Sequence, residues 1–196
     1  MATVLVQQPP RRSLRLLTAA DLAALPSELP SGPVKYELDN GRLLIMSPPG
    51  ETHGSVQATV AHLLKVHGQK KGHGKAMAEV TVILRRRPDR VVGPDAAFVM
   101  KRSLPTRTSR ENYLETIPEL VVEVRSKNDT LSELRSKAQD YLQAGVQIIW
   151  VIDPAAKTVT VFRSGESPQI LREDDTLTAK GVIPGFKVPV AELFSE

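Results

Sequence analysis

The chain contains no cysteine, so disulfides and thiolate metal sites are excluded, as suits a reducing compartment. Aromatic residues make up only 4% of its 196 positions, with one tryptophan, so no base-stacking platform stands out. No apolar run approaches the roughly 20 residues that span a bilayer. No membrane partner is therefore expected, and the expected location is the cytoplasm. The opening Met1-Ala2-Thr3-Val4-Leu5-Val6 is too short for a signal peptide, and its charges, Arg11 and Arg12, follow it instead of preceding it. Residues 1–16 read as a mobile tail, and 17–196 as one domain. His62, His67 and His73 lack convincing ligand spacing, so zinc is not indicated.

The charge excess is small. Lys and Arg number 26 against 22 Asp and Glu, for a formal +4. That balance permits nucleic-acid binding without establishing it. The basic residues are grouped, however. Arg85-Arg86-Arg87 forms one cluster, and Lys101, Arg102, Arg107 and Arg110 form another. Both flank a segment that carries Asp95. They are either solvated loops or a grip on a phosphate backbone.

Periodicity orders the rest. Thr18 caps a short helix through Leu25, ended by Pro26. Strands 35–38 and 42–46 form a hairpin about Asn40-Gly41. Thr52 is expected to cap a helix running to about His67, with Gly68 as its stop and an apolar stripe of Val56, Val60, Leu63 and Leu64. His53 falls on that stripe and reads as a hydrogen-bonded packing residue, not a ligand. One strand is expected over 76–84, a charged turn over 85–93, and strands around Asp95 and Glu123. A helix spans 131–144 and ends at Gly145. Strands 147–153, 158–163 and 169–171 follow, then a turn at Asp174-Asp175. Helices interleaved with strands in this order argue for an α/β (α+β) fold, a mixed central sheet flanked by helices.

Two acids stand out. Asp95 opens Asp95-Ala96-Ala97-Phe98-Val99-Met100, and Glu123 interrupts Leu120-Val121-Val122-Glu123-Val124. Strands this apolar are buried, and a buried carboxylate must be paired, hydrogen-bonded or bound to a cation. Lys137 falls on the apolar face of the second long helix, with Leu134, Ala138, Tyr141 and Leu142, where it either snorkels out or meets an acid. Hard ions such as Mg²⁺ take carboxylate and carbonyl oxygens, and Val124 could add its carbonyl. Such an ion activates water and stabilises phosphoryl charge. The competing reading is a structural ion pair of Glu123 with Lys137 or Arg125.

Several stretches together resemble the PD-(D/E)xK nucleases, and among them the Uma-two family (domain of unknown function 820), whose members carry a restriction-endonuclease label. They are Tyr36 to Gly41, Met46 to Pro49 with His53, Pro94-Asp95, Pro118 to Val124, Lys137 to Tyr141, Gly145-Val146 through Trp150 to Pro154, and Pro184 to Phe194. The resemblance implies a restriction-endonuclease-like sheet with an N-terminal hairpin and a C-terminal β extension. It implies that Asp95 and Glu123 hold Mg²⁺ or Mn²⁺, that Lys137 supplies the lysine from the helix, and that Glu37 adds a further acid.

The sequence departs from the family at Glu119, where an aspartate is usual, and at Arg125, where an apolar residue is typical. Position 125 is also where the superfamily's strand lysine would fall. The catalytic cation thus stands between Lys137 and Arg125, and a guanidinium cannot serve as a base. Arg125, Lys101 and Arg102 are candidate substrate contacts. The implied activity is endonucleolytic hydrolysis of DNA, with a homodimer if both strands are cut. The alternative is an inactive nuclease-fold module that binds nucleic acid or protein.

Overall fold

The computed structural model of the protein describes residues 15–30, 32–46, 48–106 and 109–195. Residues 1–14 of the expected tail, and Arg107 of the second basic cluster, lie outside the described residues. In chain order the elements begin with α1 (Ala19–Ala23), the two-residue strands β1 (Glu28–Leu29) and β2 (Gly32–Pro33), β3 (Lys35–Asp39) and β4 (Arg42–Met46). Then come α2 (Glu51–Leu64), β5 (Gly74–Ala78), β6 (Val82–Arg85), β7 (Arg90–Val92), β8 (Ala96–Met100) and β9 (Leu120–Val124). The chain continues through α3 (Leu131–Ala144), β10 (Ile148–Asp153), β11 (Thr158–Arg163), β12 (Gln169–Leu171), β13 (Thr176–Thr178) and β14 (Lys187–Pro189). No described helix is long and apolar enough to cross a membrane.

Six strands form a sheet in the order β12-β11-β10-β9-β8-β5. β9 and β10 are parallel and α3 connects them, while the other neighbours are antiparallel. This is the mixed sheet that the alternating pattern predicts. Side chains alternate across each strand. Leu120, Val122 and Val124 of β9, with Ile148, Trp150 and Ile152 of β10, face α2 and the C-terminal extension. Phe186 of that extension packs against Trp150 with ring centres 5.3 Å apart and the planes tilted by 44°. Val121, Ile149 and Val151 face the other way, onto Leu134, Ala138 and Tyr141 of α3.

A second sheet, β4-β3-β7-β6, takes in the N-terminal hairpin. Asn40 and Gly41 both have positive φ, as the Asn-Gly turn requires. Val82 and Val92 of this sheet pack on α3, so α3 touches both sheets. The helix is well defined by its ends. Thr130 and Glu133 form a reciprocal capping box, and Gly145 closes it in the left-handed region at φ +104°.

Four local expectations are corrected. The strand expected over 76–84 is two strands in different sheets, because Glu79 turns the chain at φ +52°. An alternating apolar pattern suits either sheet, so it carries no sign of the break. The charged turn at 85–93 contains β7, whose Arg90 is buried. It can be, because its guanidinium donates to the Leu38 carbonyl at 3.0 Å and to Asp140 at 2.8 Å. α2 starts after Gly50, not at Thr52. Gly68 does not stop it: it sits buried inside a π-helical turn, Lys65–Gln69. A Cβ there would meet the Phe98 ring at 2.4 Å.

Gly74 is equally confined. An added Cβ would lie 2.1 Å from the Val99 carbonyl oxygen, which is backbone held in the sheet. Gly74→Ala is therefore expected to cost about 1–3 kcal/mol, the usual penalty of overpacking. Urea denaturation measures it, and an unchanged midpoint would contradict the close approach.

Candidate active site

The β8–β9 register brings the two acids together. Ala96 pairs with Val122 and Ala97 with Val121. One step further along the same antiparallel register puts Asp95 opposite Glu123, a spacing at which facing side chains interact. Asp95 lies just before β8 instead of inside it, and its Oδ2 accepts the Val124 amide at 2.7 Å. Alternation turns Glu123 to the α3 side. There Lys137 Nζ lies 3.1 Å from its carboxylate, and the Tyr141 hydroxyl, one turn on, donates to Oε1 at 2.5 Å.

Glu37 comes from the other sheet. Its neighbour Leu38 packs on α1, so Glu37 faces the opposite way. Its Oε1 accepts from Lys137 Nζ at 2.8 Å and from the Gly93 amide at 3.0 Å. Its Oε2 lies 3.6 Å from Arg90. Lys137 thus joins Glu37 and Glu123, and with them both sheets and α3. Asp95 pairs instead with His53, whose Nε2 is 3.3 Å away, while His53 Nδ1 is buried and finds no partner among the described residues. His53 is therefore hydrogen-bonded as expected, and its partner places it in the lining of the site. Its pairing could not be read locally, because Asp95 reaches it from a distant strand. Tyr141, expected to pack in the core, does so and also turns its hydroxyl to Glu123. Arg90 carries no sequence sign of burial, because it is one charged residue in a charged stretch.

These groups lie in a cleft of about 780 Å³. Eight acids line it: Glu37, Asp39, Glu79, Asp95, Glu123, Asp129, Glu133 and Asp140. Three cations oppose them: Lys35, Arg90 and Lys137. A protein with net positive charge thus carries a strongly acidic cleft.

The titrations reflect this balance. Burial raises the Glu123 pKa most; Lys137 pulls it back, but Asp95 and Glu37 add repulsion, and it is pushed up to about 7. For Glu37 burial also pushes upward, but Lys137, the Gly93 amide and Arg90 outweigh it, and its pKa is lowered. Burial pulls the Lys137 pKa down, yet the charges of Glu123 and Glu37 prevail and hold it above the ordinary lysine range. The hydrogen bond to Asp95 raises the His53 pKa against the opposing effect of burial.

Among the described residues, no three His, Asp or Glu side chains form a ready-made metal cage. Mg²⁺ does not need one: it keeps several waters and takes one or two carboxylates. Asp95, Glu123 and Val124 all line the cleft, and the surrounding donors are oxygens in an acid excess. This donor set fits a hard divalent cation.

The other candidates lie elsewhere. Arg125 Nη1 donates to Asp153 at 2.6 Å and its Nε to the Asp129 carbonyl at 3.3 Å, and it does not line the cleft. Lys101 and Arg102 follow the far end of β8, whereas Asp95 precedes it. Five strand residues separate them, roughly 20 Å at the usual strand rise. Arg86 pairs with Glu115 at 2.6 Å, and Arg85 donates to Asn40. Sequence adjacency to Asp95 therefore misplaced the basic clusters, because a strand carries its two ends apart.

A mixed sheet with acids on adjacent strand ends and a lysine on the following helix defines a restriction-endonuclease-like fold. The chain belongs to the Uma2 (Uma-two) family, described as "Putative restriction endonuclease", whose model matches residues 20–191. Its fold is similar to that of a "putative nuclease belonging to DUF820 from Anabaena variabilis ATCC 29413", at TM-score 0.76 and 18% identity over 91% of this chain and 97% of that one. A chain of a DrdV–DNA complex matches more distantly, at TM-score 0.41 and 19% identity over 63% of this chain and 73% of that one. No curated protein matches.

Removing Lys137 leaves two buried acids facing each other. Lys137→Met is expected to destabilise the fold by about 3–5 kcal/mol, the usual cost of unpairing a buried charge. Adding Glu37→Gln should restore part of that loss. Chemical denaturation of the single and double variants checks both, and strictly additive losses would refute the coupling.

Proposed function

We propose that the protein is a divalent-metal-dependent endonuclease that hydrolyses phosphodiester bonds of DNA. One observation supports this most: Asp95 and Glu123 come together across β8 and β9 in a cleft with eight acids against three cations, where Lys137 bridges Glu123 and Glu37. A phosphate cannot approach that cleft unaided. Like charges 4 Å apart repel by about 4 kcal/mol at an effective dielectric near 20. A divalent cation reverses the local sign. Asp95, Glu123 and the Val124 carbonyl would hold Mg²⁺ or Mn²⁺. When bound, such an ion supplies Lewis-acid stabilisation of phosphoryl charge and makes water easier to deprotonate.

The chain's own residues do the rest. Hydrolysis adds one water oxygen to phosphorus and breaks one bond to a sugar oxygen, which leaves with a proton. Lys137 remains an ammonium under the charges of Glu123 and Glu37. It therefore acts as a fixed positive charge for the transition state, and not as a base. Glu37 positions it, and Arg90 and the Gly93 amide position Glu37. His53 holds Asp95 from the start of α2.

A second reading, a non-catalytic module on the same fold, draws on Glu123. Tyr141 and Lys137 already engage its carboxylate. Cleavage of labelled DNA in Mg²⁺ or Mn²⁺ separates the two. The wild type should cut with metal and not in EDTA. Asp95→Asn and Lys137→Gln should each lose about 10²–10³-fold, the scale of removing one electrostatic contribution to a transition state. Arg125→Ala, outside the cleft, should stay within about threefold. Cleavage that survives EDTA or Asp95→Asn rejects the hydrolytic reading, and binding without cleavage selects the module.

A further inference from the structure

We infer that a basic surface at one corner of the larger sheet binds the phosphate backbone of DNA beside the cleft, without help from a metal. It consists of Lys65, Lys70, Lys71, Lys75, Lys101 and Arg102. This rests on the nuclease reading above and adds the place where the substrate is held. The first observation is the distribution of charge. The chain has 26 Lys and Arg against 22 Asp and Glu, of which the cleft holds three and eight. By subtraction, the rest of the chain carries 23 cations against 14 acids. A modest net charge thus conceals an acidic cleft in a strongly basic exterior. The cleft itself repels phosphate until an ion is bound, so the initial attraction must come from outside it.

The second observation is that three segments converge. The Lys70 amide donates to the Lys65 carbonyl at 2.8 Å, the His73 amide to the Gly68 carbonyl at 3.0 Å, and the Lys101 amide to the His73 carbonyl at 2.8 Å. Gly74 pairs with Met100. The turn after α2, the start of β5 and the end of β8 therefore meet. Gln69 Oε1 accepts the Ala76 amide at 3.1 Å on the outer edge of β5, and Lys65, four residues earlier, shares that side of the helical turn. All six cations are exposed. Among the described residues none of them belongs to an ion pair. Cations at a helix end offset its dipole. That accounts for the lysines after α2, but not for Lys75, Lys101 and Arg102.

The third observation is continuity with the cleft. Ala76 packs on the α2 side of the sheet, so alternation puts Lys75 on the other face, from which Glu123 projects. Lys75 pairs with Val99, four residues from Asp95, or about 14 Å at the usual strand rise. Glu79, just past the other end of β5, lines the cleft. β5 thus runs from the basic corner to the reacting acids. A chain of phosphates reaches both at once, since about 14 Å is roughly four nucleotide steps of a duplex strand. An anionic membrane presents its charge in a plane and cannot follow the strand into a cleft.

Fluorescence anisotropy on the Asp95→Asn variant in EDTA tests the inference apart from hydrolysis. A labelled DNA duplex is titrated over a range of KCl concentrations. The titration is repeated with Lys70→Gln and Lys71→Gln added, and with Lys101→Gln and Arg102→Gln added. Lys157→Gln with Arg172→Gln is the control of equal charge. Circular dichroism verifies that these exposed changes leave the fold intact. We expect the duplex to bind without metal. Each patch pair should weaken it about fivefold or more and lower the slope of log affinity against log salt by about 1–2, since each phosphate contact contributes about 0.9. The control pair should alter neither. Absence of binding in EDTA overturns the inference, as does a control pair that matches the patch pairs. If DNA fails to bind and the protein instead cosediments with phosphatidylserine vesicles, the surface meets a membrane, and the inference is again overturned. Wild-type cleavage in Mn²⁺ is scored separately. Binding that the patch pairs weaken, without cleavage of any DNA, rejects the hydrolytic reading and leaves the basic surface standing. Metal-dependent cleavage with a KM that the patch pairs leave unchanged does the reverse.

Discussion

The Lys137 ammonium lies between two carboxylates that the chain supplies from positions far apart, Glu37 and Glu123. One belongs to the smaller sheet, the other to the centre of the larger, and the lysine to the helix between them. A charge buried in this way is tolerated only when its partners are in place. The contact therefore couples the site to the arrangement of α3 and both sheets. Arg90 repeats the device one layer out, between Glu37, Asp140 and the Leu38 carbonyl.

The same contact sets the electrostatics of the cleft. One lysine shared by two acids leaves Glu123 short of compensation, and burial and Asp95 push its pKa to about 7. The other acids of the cleft add to that deficit. A bound divalent cation is the simplest source of compensation, and this joins the geometry to the proposed chemistry. Lys137, in turn, has its pKa raised by the charges of Glu123 and Glu37, which favour its ammonium form.

Legibility in the sequence followed the range of the forces involved. The end of α3 was readable because Gly145 is a local stop signal, and its start, placed correctly from the sequence, is fixed by the Thr130–Glu133 capping box seen in the structure. The Asn40-Gly41 turn was readable for the same reason. Asp95, Glu123 and Lys137 were visible as charges within apolar patterns, and family resemblance added Glu37. The break at Glu79, the burial of Arg90 and the pairing of His53 with Asp95 left no local trace. Each depends on what another segment places alongside. The basic clusters misled for the converse reason: neighbours of Asp95 along the chain are carried away from it by β8.

By itself, then, the sequence determined where helices and strands form and which charges must find partners, because hydrophobic period, caps and turns act over a few residues. Only the tertiary structure decided which partners those charges find. It set Asp95 across from Glu123 by strand register and gave Lys137 to Glu37 as well as Glu123. Those outcomes depend on contacts between segments up to about a hundred residues apart, such as the 100 positions separating Glu37 from Lys137. Only packing the two sheets about one helix supplies them.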